Sequence, residues 1–231
     1  LKLGDAMCGR FTLYADPDFL EDYFDLENGH NLEVEPRYNI APTQPILSIV
    51  QGKKGLRAGY MKWGLIPHWA KDESFSSKMI NARSETLHEK RSFKGLLGKR
   101  HCVIVANGFF EWKKTDVGKQ PYYIKNKNDD LLIFAGLWDR WVNKENGEQI
   151  VSCTVLTTEA NEMMRDLHHR MPVILDKGKC NWWLQQANWT EDLLEEEFFK
   201  PFPSEKMMTF PVNKVVNSPK HDSVECIKEL I

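Results

Sequence analysis

His101-Cys102-Val103-Ile104-Val105-Ala106, running on into Asn107-Gly108-Phe109-Phe110-Glu111-Trp112, is the stretch whose reading decides the fold class. Residues 102–105 are apolar without interruption and β-branched at 103, 104 and 105, which argues a buried strand rather than an amphipathic helix. Glu111 then reads two ways. It lies on the solvent side of an alternating strand, or it is held in a dry pocket between Phe110 and Trp112 where its pKa rises and it can exchange protons near neutrality. Period-2 alternation by itself favours the solvent side.

Working outward, strands are expected over residues 46–50, 59–64, 121–125, 131–142, 150–157 and 173–175, with a returning strand over 208–216. Asp16-Pro17 reads as a helix N-cap followed by proline at the first helical position. Phe19, Leu20, Tyr23 and Phe24 follow as an apolar stripe at helical spacing, read as core. A basic helical segment is expected from about Thr86 to Leu97. Another helix has Thr158 as its N-cap and Met163, Met164 and Leu167 on its apolar side, ending at His168-His169-Arg170-Met171-Pro172. Two more cover 176–186 and 190–199. Residues 35–42 are extended between prolines, and 63–69 form a loop rich in aromatic and turn residues. Trp69 there is a hydrophobic plug or a platform on which a base stacks. No repeat, low-complexity linker or domain boundary is visible, so the chain reads as one α+β domain around a strongly bent sheet with short peripheral helices.

The 231 residues, 42% hydrophobic and 28% charged, are those of an ordinary globular protein. No apolar run approaches the roughly 20 residues of a membrane-spanning helix. Residues 1–6 lack the regions of a signal peptide, so residues 1–7 are expected to be a leader or cloning remnant whose removal leaves a domain over 8–231. The five cysteines (8, 102, 153, 180, 226) are odd in number and form no CxxC, which argues against a disulfide framework or zinc site. They point to a reducing compartment, the cytoplasm. The formal net charge of −2 says little, but its distribution says more. Lys78, Arg83, Lys90, Arg91, Lys94, Lys99 and Arg100 face only Glu85 and Glu89 within 78–100, whereas 191–197 carry acids and no base. Either run is ordinarily a solvated face, and together they permit one basic groove for a polyanion. A monomer is expected.

Cys8 follows directly on Met7, so loss of Met7 leaves a terminal cysteine. Such a residue carries an α-amine (pKa about 8) and a thiol (about 8.5) on adjacent carbons. The amine condenses with an aldehyde to an imine, and the thiol then closes a thiazolidine. The plain reading of Cys8 is a small apolar residue near a chain start.

The segments MCGRF, RYNIAPTQ, WGLIPHWA, INARSET, GFFEW and HRMPVIL, in that order, resemble the SRAP family (SOS response-associated peptidases, abasic-site shield proteins) from Cys8 to about Val216. The resemblance implies an α+β fold with a β-barrel-like core and a basic groove for single-stranded DNA containing abasic sites. It implies removal of the initiator methionine and a covalent thiazolidine DNA–protein crosslink through Cys8. It implies catalytic roles for Cys8, for Asn81 as the residue that orients the amine, for Glu111 as its base and for His168 as the acid that favours sugar-ring opening. Arg10, Pro42, Trp69, Arg83, Arg91, Thr157 and Arg170 match positions that hold the DNA backbone or stack on bases. No metal or organic cofactor is implied. Ala70 departs from relatives that carry a second tryptophan there, which removes one stacking surface. Two other classes stay open: a thiol peptidase with Cys8 as nucleophile, and a non-covalent single-strand binding module in which Cys8 is incidental.

Overall fold

The computed structural model describes residues 8–185 and 190–230. Its strands are β1 (Phe11–Leu13), β2 (Arg37–Ile40), β3 (Pro45–Gln51), β4 (Leu56–Trp63), β5 (Asn81–Arg83), β6 (His101–Ala106), β7 (Gly108–Thr115), β8 (Gly118–Asn126), β9 (Leu132–Val142), β10 (Gln149–Glu159), β11 (Arg170–Pro172), β12 (Ile174–Leu175) and β13 (Met207–Pro211). The strand path β4-β3-β6-β9-β10 returns to β4, because β10 pairs antiparallel with β9 and parallel with β4. That is a closed five-stranded barrel, which leaves no free edge around the ring. β6, apolar on both sides as its composition requires, is buried along its whole length. At Gly136 on β9 a Cβ would lie 2.6 Å from Ile104 Cδ1 and 2.8 Å from the Thr154 carbonyl, so the barrel wall closes here only around glycine.

A second sheet, in the order β13-β8-β7-β1-β2, packs against the barrel. The bent, barrel-like core sheet expected of an α+β domain is thus present as a closed barrel, with a second sheet beside it. The chain passes between them within two residues, from Ala106 at the end of β6 to Gly108 at the start of β7. Phe109 on β7 meets Phe134 of the barrel edge-on, centroids 5.9 Å apart. Phe110 on the opposite face is equally buried, in a small separate core with Tyr123, Val212, Val216 and Cys226. β7 is thus covered on both faces, which strand alternation in the sequence does not disclose.

Helix α1 (Pro17–Phe24) starts as expected, with Asp16 Oδ1 accepting from the amides of Asp18 and Phe19. Leu20 and Phe24 are core, whereas Phe19 is half exposed. Three expected helices differ. The basic segment after the β5 strand is a chain of turns with scattered amide-to-carbonyl bonds such as Lys94 to Lys90 and Leu97 to Phe93. Its glycines at 95 and 98 and its run of like charges oppose a continuous helix. Thr158 is not an N-cap: it lies inside β10, and Asn161 caps the short helix α2 (Glu162–Arg165). The last expected helix is a three-residue piece, Glu191–Leu193, that widens into a π turn over Leu194–Phe198. The strand expected at 173–175 is split at Val173, with β11 pairing to β10 and β12 to β9. Helix α3 (Lys177–Gln185) covers the expected segment after Asp176, and Gln186 lies outside the described residues. Among the described residues no helix is long and apolar enough to cross a membrane.

Helix α3 is tied to the barrel by one aromatic pair. His101 and Trp183 stack at 3.9 Å, the imidazole Nδ1 bonds the Trp183 carbonyl at 2.7 Å, and Trp183 Nε1 donates to the Cys102 carbonyl at 2.9 Å. The Gly98 amide donates to His101 Nε2 at 2.9 Å, so the ring is a neutral Nδ1–H tautomer. Burial pulls its pKa down to about 4.

Gly108 joins the two sheets and admits no side chain. A Cβ there would sit 2.4 Å from the Tyr123 ring and 2.6 Å from the Ile124 carbonyl. Tyr123 cannot swing aside, because its hydroxyl pairs with Thr12 Oγ1 at 2.8 Å inside the core. Gly108→Ala should therefore lower the unfolding free energy by about 2–3 kcal/mol, the usual cost of overpacking, read as a lower urea midpoint at unchanged slope.

Candidate functional site

Glu111 lies on β7 opposite Tyr122, on the side of the strand that faces the start of the chain. Only 4% of it is exposed, so the dry-pocket reading holds and the solvent-side reading favoured by alternation does not. The Cys8 nitrogen donates to Glu111 Oε1 at 2.7 Å, and both residues are buried. Burial pushes the Glu111 pKa up to about 7, against the amides of Cys8 and Trp112 and the positive charge of Lys119, which pull it down. With Met7 in place the Cys8 nitrogen is an uncharged amide, so it offers a hydrogen bond but no ion pair. The Cys8 thiol is pushed well above its ordinary pKa by burial and by the adjacent Glu111. Its sulfur is therefore protonated, and its nitrogen is the group that the carboxylate serves. Cys8 also holds a left-handed backbone (φ 41°), which a non-glycine side chain adopts only under constraint.

The long strand β10 gathers the next group. Its far half carries β5 in parallel pairing (Val155 to Asn81, Thr157 to Arg83) and β11 in antiparallel pairing (Thr157 to Pro172, Glu159 to Arg170). Asn81, Arg83, Thr157 and Arg170, distant in sequence, thus share one end of the sheet. Arg83 is exposed there and Asn81 half-buried. Thr157 is buried, its hydroxyl donating to the Ala82 carbonyl at 3.3 Å. Arg170 is buried too. Its guanidinium grips Glu85 through both terminal nitrogens, the Nη2–Oε2 contact being 2.8 Å, and donates to the Thr157 carbonyl at 2.7 Å. Burial raises the Glu85 pKa, but hydrogen bonding and charge from Arg170 more than offset it and leave the carboxylate below its usual range.

His168 is half-buried two residues before Arg170, and its Nδ1 accepts the Arg170 amide at 3.1 Å. The proton of the neutral ring is therefore on Nε2. Burial, and then the neighbouring His169 stacked on it at 4.3 Å, hold its pKa below the usual value. Lys114 adds positive charge at His168 as Lys119 does at Glu111, and these two lysines face each other across the β7–β8 hairpin.

Trp69 and Arg91 form a second centre, the guanidinium 4.4 Å above the indole and Phe75 edge-on to it at 5.6 Å. Arg91, Lys78, Lys90, Lys94 and Lys99 are exposed. Ala70 is buried against Trp141, whose indole N–H donates to the Ala70 carbonyl at 2.8 Å, so position 70 is closed to a larger ring. Pro42 is half-buried in the turn after β2. Arg10 stands apart from the expected surface role. It is 4% exposed and its Nη1 donates to Asn39 Oδ1 at 2.6 Å and to the Val216 carbonyl at 2.7 Å. It ties the segment that carries Cys8 to β2 and to the C-terminal tail. Among the described residues no cluster of His, Cys, Asp and Glu is placed to hold a metal ion.

Sequence reading missed Glu85, Asn39 and Lys119. The one available signal was Glu85, an acid inside a strongly basic run. The partners of Arg10 come from the far end of the chain and leave no local trace.

A buried carboxyl whose pKa is raised on folding binds protons more tightly in the folded chain. Its ionisation therefore costs stability as pH rises from about 4.5 to 7, with the full cost present above 7. His101 acts in the opposite sense: its folded pKa is lowered, so its contribution is present above about 6.5 and lost as pH falls toward 4. Glu111→Gln should thus stabilise the fold by up to about 3 kcal/mol near pH 8 and hardly at all near pH 4.5. Urea unfolding at the two pH values checks this, and an equal gain at both would refute it.

A profile of the SOS response associated peptidase (SRAP) family matches residues 7–219. The chain is 43% identical over 224 residues to the abasic site processing protein YoqW of Bacillus subtilis, covering 96% of this chain and 99% of that one. It is 37% identical over 191 residues to the abasic site processing protein HMCES of Gallus gallus, covering 72% of this chain and 56% of that one. A crystal structure of a protein from Bacteroides thetaiotaomicron superposes with a TM-score of 0.84 at 25% identity, over 97% of this chain and 100% of that chain. By sequence and by fold, the chain belongs to the SOS response associated peptidase family.

Proposed function

We propose that this protein processes abasic sites in single-stranded DNA by forming a covalent thiazolidine through Cys8, once residues 1–7 have been removed. The observation that carries this reading is the 2.7 Å contact from the Cys8 nitrogen to a buried carboxylate. A structural cysteine has no need of a base at its nitrogen, and a thiol nucleophile would need one at its sulfur. The names of the relatives, abasic site processing proteins, agree with it.

In the proposed sequence the freed Cys8 α-ammonium gives a proton to Glu111 and becomes nucleophilic. The amine adds to the C1′ aldehyde of the opened sugar, forming a C–N bond. Glu111 then returns the proton to the carbinolamine hydroxyl, which leaves as water, and takes up the remaining N–H proton to leave a neutral imine. The Cys8 S–H adds across the C=N bond, sulfur to carbon and hydrogen to nitrogen, and closes the ring. Asn81 orients the amine. His168, neutral at physiological pH, donates an Nε2–H hydrogen bond to the sugar oxygen and so favours the open aldehyde. Arg83, Arg91 and the lysines of 78–99 hold backbone phosphates, and Trp69 stacks on a base. Arg10 and Arg170, both buried and partnered, act in this scheme by fixing Cys8 and the β5–β10–β11 end of the sheet. Burial and the adjacent Glu111 disfavour the Cys8 thiolate that a thiol peptidase would use.

Protein beginning at Cys8, verified by intact mass, should yield a covalent band with an abasic-site oligonucleotide on a denaturing gel. Protein retaining Met7, and Cys8→Ala, should bind the oligonucleotide but give no band. A crosslink from protein shown to retain Met7 would overturn the amine mechanism. Glu111→Gln should slow crosslinking by on the order of 10²-fold near neutral pH, with partial recovery as bulk base deprotonates the amine.

Arg83→Ala and Arg91→Ala should act on binding instead. Each should lower single-strand affinity and reduce the slope of log K against log salt by about 0.7. Crosslinking at saturating DNA should stay close to wild type. Unchanged salt slopes would remove the basic segment from the DNA path.

A further inference from the structure

The loop that presents Trp69 is pinned along its length. The amide of Gly64 bonds the Cys153 carbonyl at 2.8 Å, that of Leu65 the Met79 carbonyl at 3.0 Å, and that of Ile66 the Ser152 hydroxyl at 2.8 Å. The last anchor is Asp139 on β9, a carboxylate only 5% exposed. Its Oδ2 accepts both the His68 amide, at 2.8 Å, and His68 Nδ1, at 2.9 Å, while Oδ1 accepts the Arg140 amide at 2.9 Å. One backbone bond suffices to pin the loop. The second, to the ring, fixes something else: the direction of the imidazole. With Nδ1 turned inward, Nε2 points away from the barrel, and the side chain is 67% exposed next to Trp69.

We infer that His68, held by Asp139, is a phosphate-binding residue at the Trp69 platform and contacts the single-stranded backbone in its imidazolium form. This rests on the reading of Trp69 and the basic segment as the path of single-stranded DNA. In the neutral ring Nδ1–H donates to Asp139 and Nε2 has only a lone pair, which repels a phosphate oxygen. Uptake of one proton turns Nε2 into a donor, and the buried carboxylate behind the ring balances the charge. DNA binding at this point is therefore linked to the uptake of one proton by the imidazole. The other charged groups around the ring do not remove this sign. Arg140 follows Asp139 on β9 and is exposed, and Arg91 lies over the Trp69 ring. Lys71, Asp72 and Glu73 follow on its own loop, Glu73 being paired with Lys62, and Lys144 and Glu145 line the adjoining cleft. Among the described residues Asp139 is the one charged group paired with the imidazole.

The test is fluorescence anisotropy with an undamaged single-stranded oligonucleotide at constant ionic strength, using wild type, His68→Ala and His68→Gln. His68→Ala should bind about fivefold more weakly than wild type near pH 6, with a salt slope smaller by about 0.7, and equally well near pH 8.5. His68→Gln, which cannot take up a proton, should behave as His68→Ala. Equal affinities at both pH values would overturn the assignment, and so would a loss of the same size at both, which would mean that the loop had moved. Wild-type crosslinking to an abasic-site oligonucleotide separates the two levels. If wild type binds and crosslinks while the His68 variants match it, only the His68 assignment fails. If wild type neither binds nor crosslinks, the parent reading fails with it.

Discussion

Glu111 has lost nearly all contact with water, and the nitrogen of Cys8 is its hydrogen-bond donor from the far side of the site. A carboxylate in that position is costly unless it is protonated or well served by donors. The raised pKa of Glu111, about 7, shows that its donors do not fully offset burial while Cys8 is an amide. The proposed chemistry relies on the same imbalance. A carboxyl group poised near neutrality can accept a proton from a nearby ammonium and return it within one cycle. Stability is given up at the position where a proton must be moved, a trade common at functional sites.

The architecture explains how such a site is built. A closed barrel supplies rigidity, and the second sheet supplies the strand that holds Glu111. The connection between them is as short as Asn107, with Gly108 allowing β7 to pass directly over Tyr123. Cys8 is fixed from the other side by Arg10, which joins its segment to Asn39 and to the Val216 carbonyl. Asn39 Nδ2 in turn donates to the carbonyls of Ser218 and His221, at 3.0 and 2.6 Å. The C-terminal tail therefore contributes to the position of a residue near the start of the chain. A shift of 1 Å at either end of the Cys8–Glu111 contact would break the hydrogen bond, which makes these remote anchors part of the site's geometry.

Charge is segregated by the same logic. Arginines that hold the fold, Arg10 and Arg170, are buried with partners. Arg83 and Arg91 are exposed, the latter stacked on Trp69. Within the family pattern all four look alike, and burial separates them into anchors and groups available to a polyanion. The Trp69 loop follows the same rule, since its backbone is bound at 64, 65, 66 and 68 while the His68 ring remains exposed and the indole half-buried.

Much of this was legible in the chain itself. The apolar run 102–105 specifies a buried strand, Asp16-Pro17 a helix start, and the order of the short motifs the family and its barrel. These are local signals: β-branched side chains, a cap, a proline, a spacing. What only the tertiary structure decided depends on which surfaces meet. Glu111 lies inside because β7 is covered on both faces, whereas alternation can report only one. Arg10 and Arg170 turn inward because Asn39, Val216 and Glu85 await them, partners that no window of sequence contains. The basic segment forms turns rather than a helix because glycines and like charges there outweigh its apolar spacing. Thr158 is a strand residue because β10 continues past the barrel to carry β5 and β11. Local propensity sets what a segment can be, and packing against distant segments selects among those states.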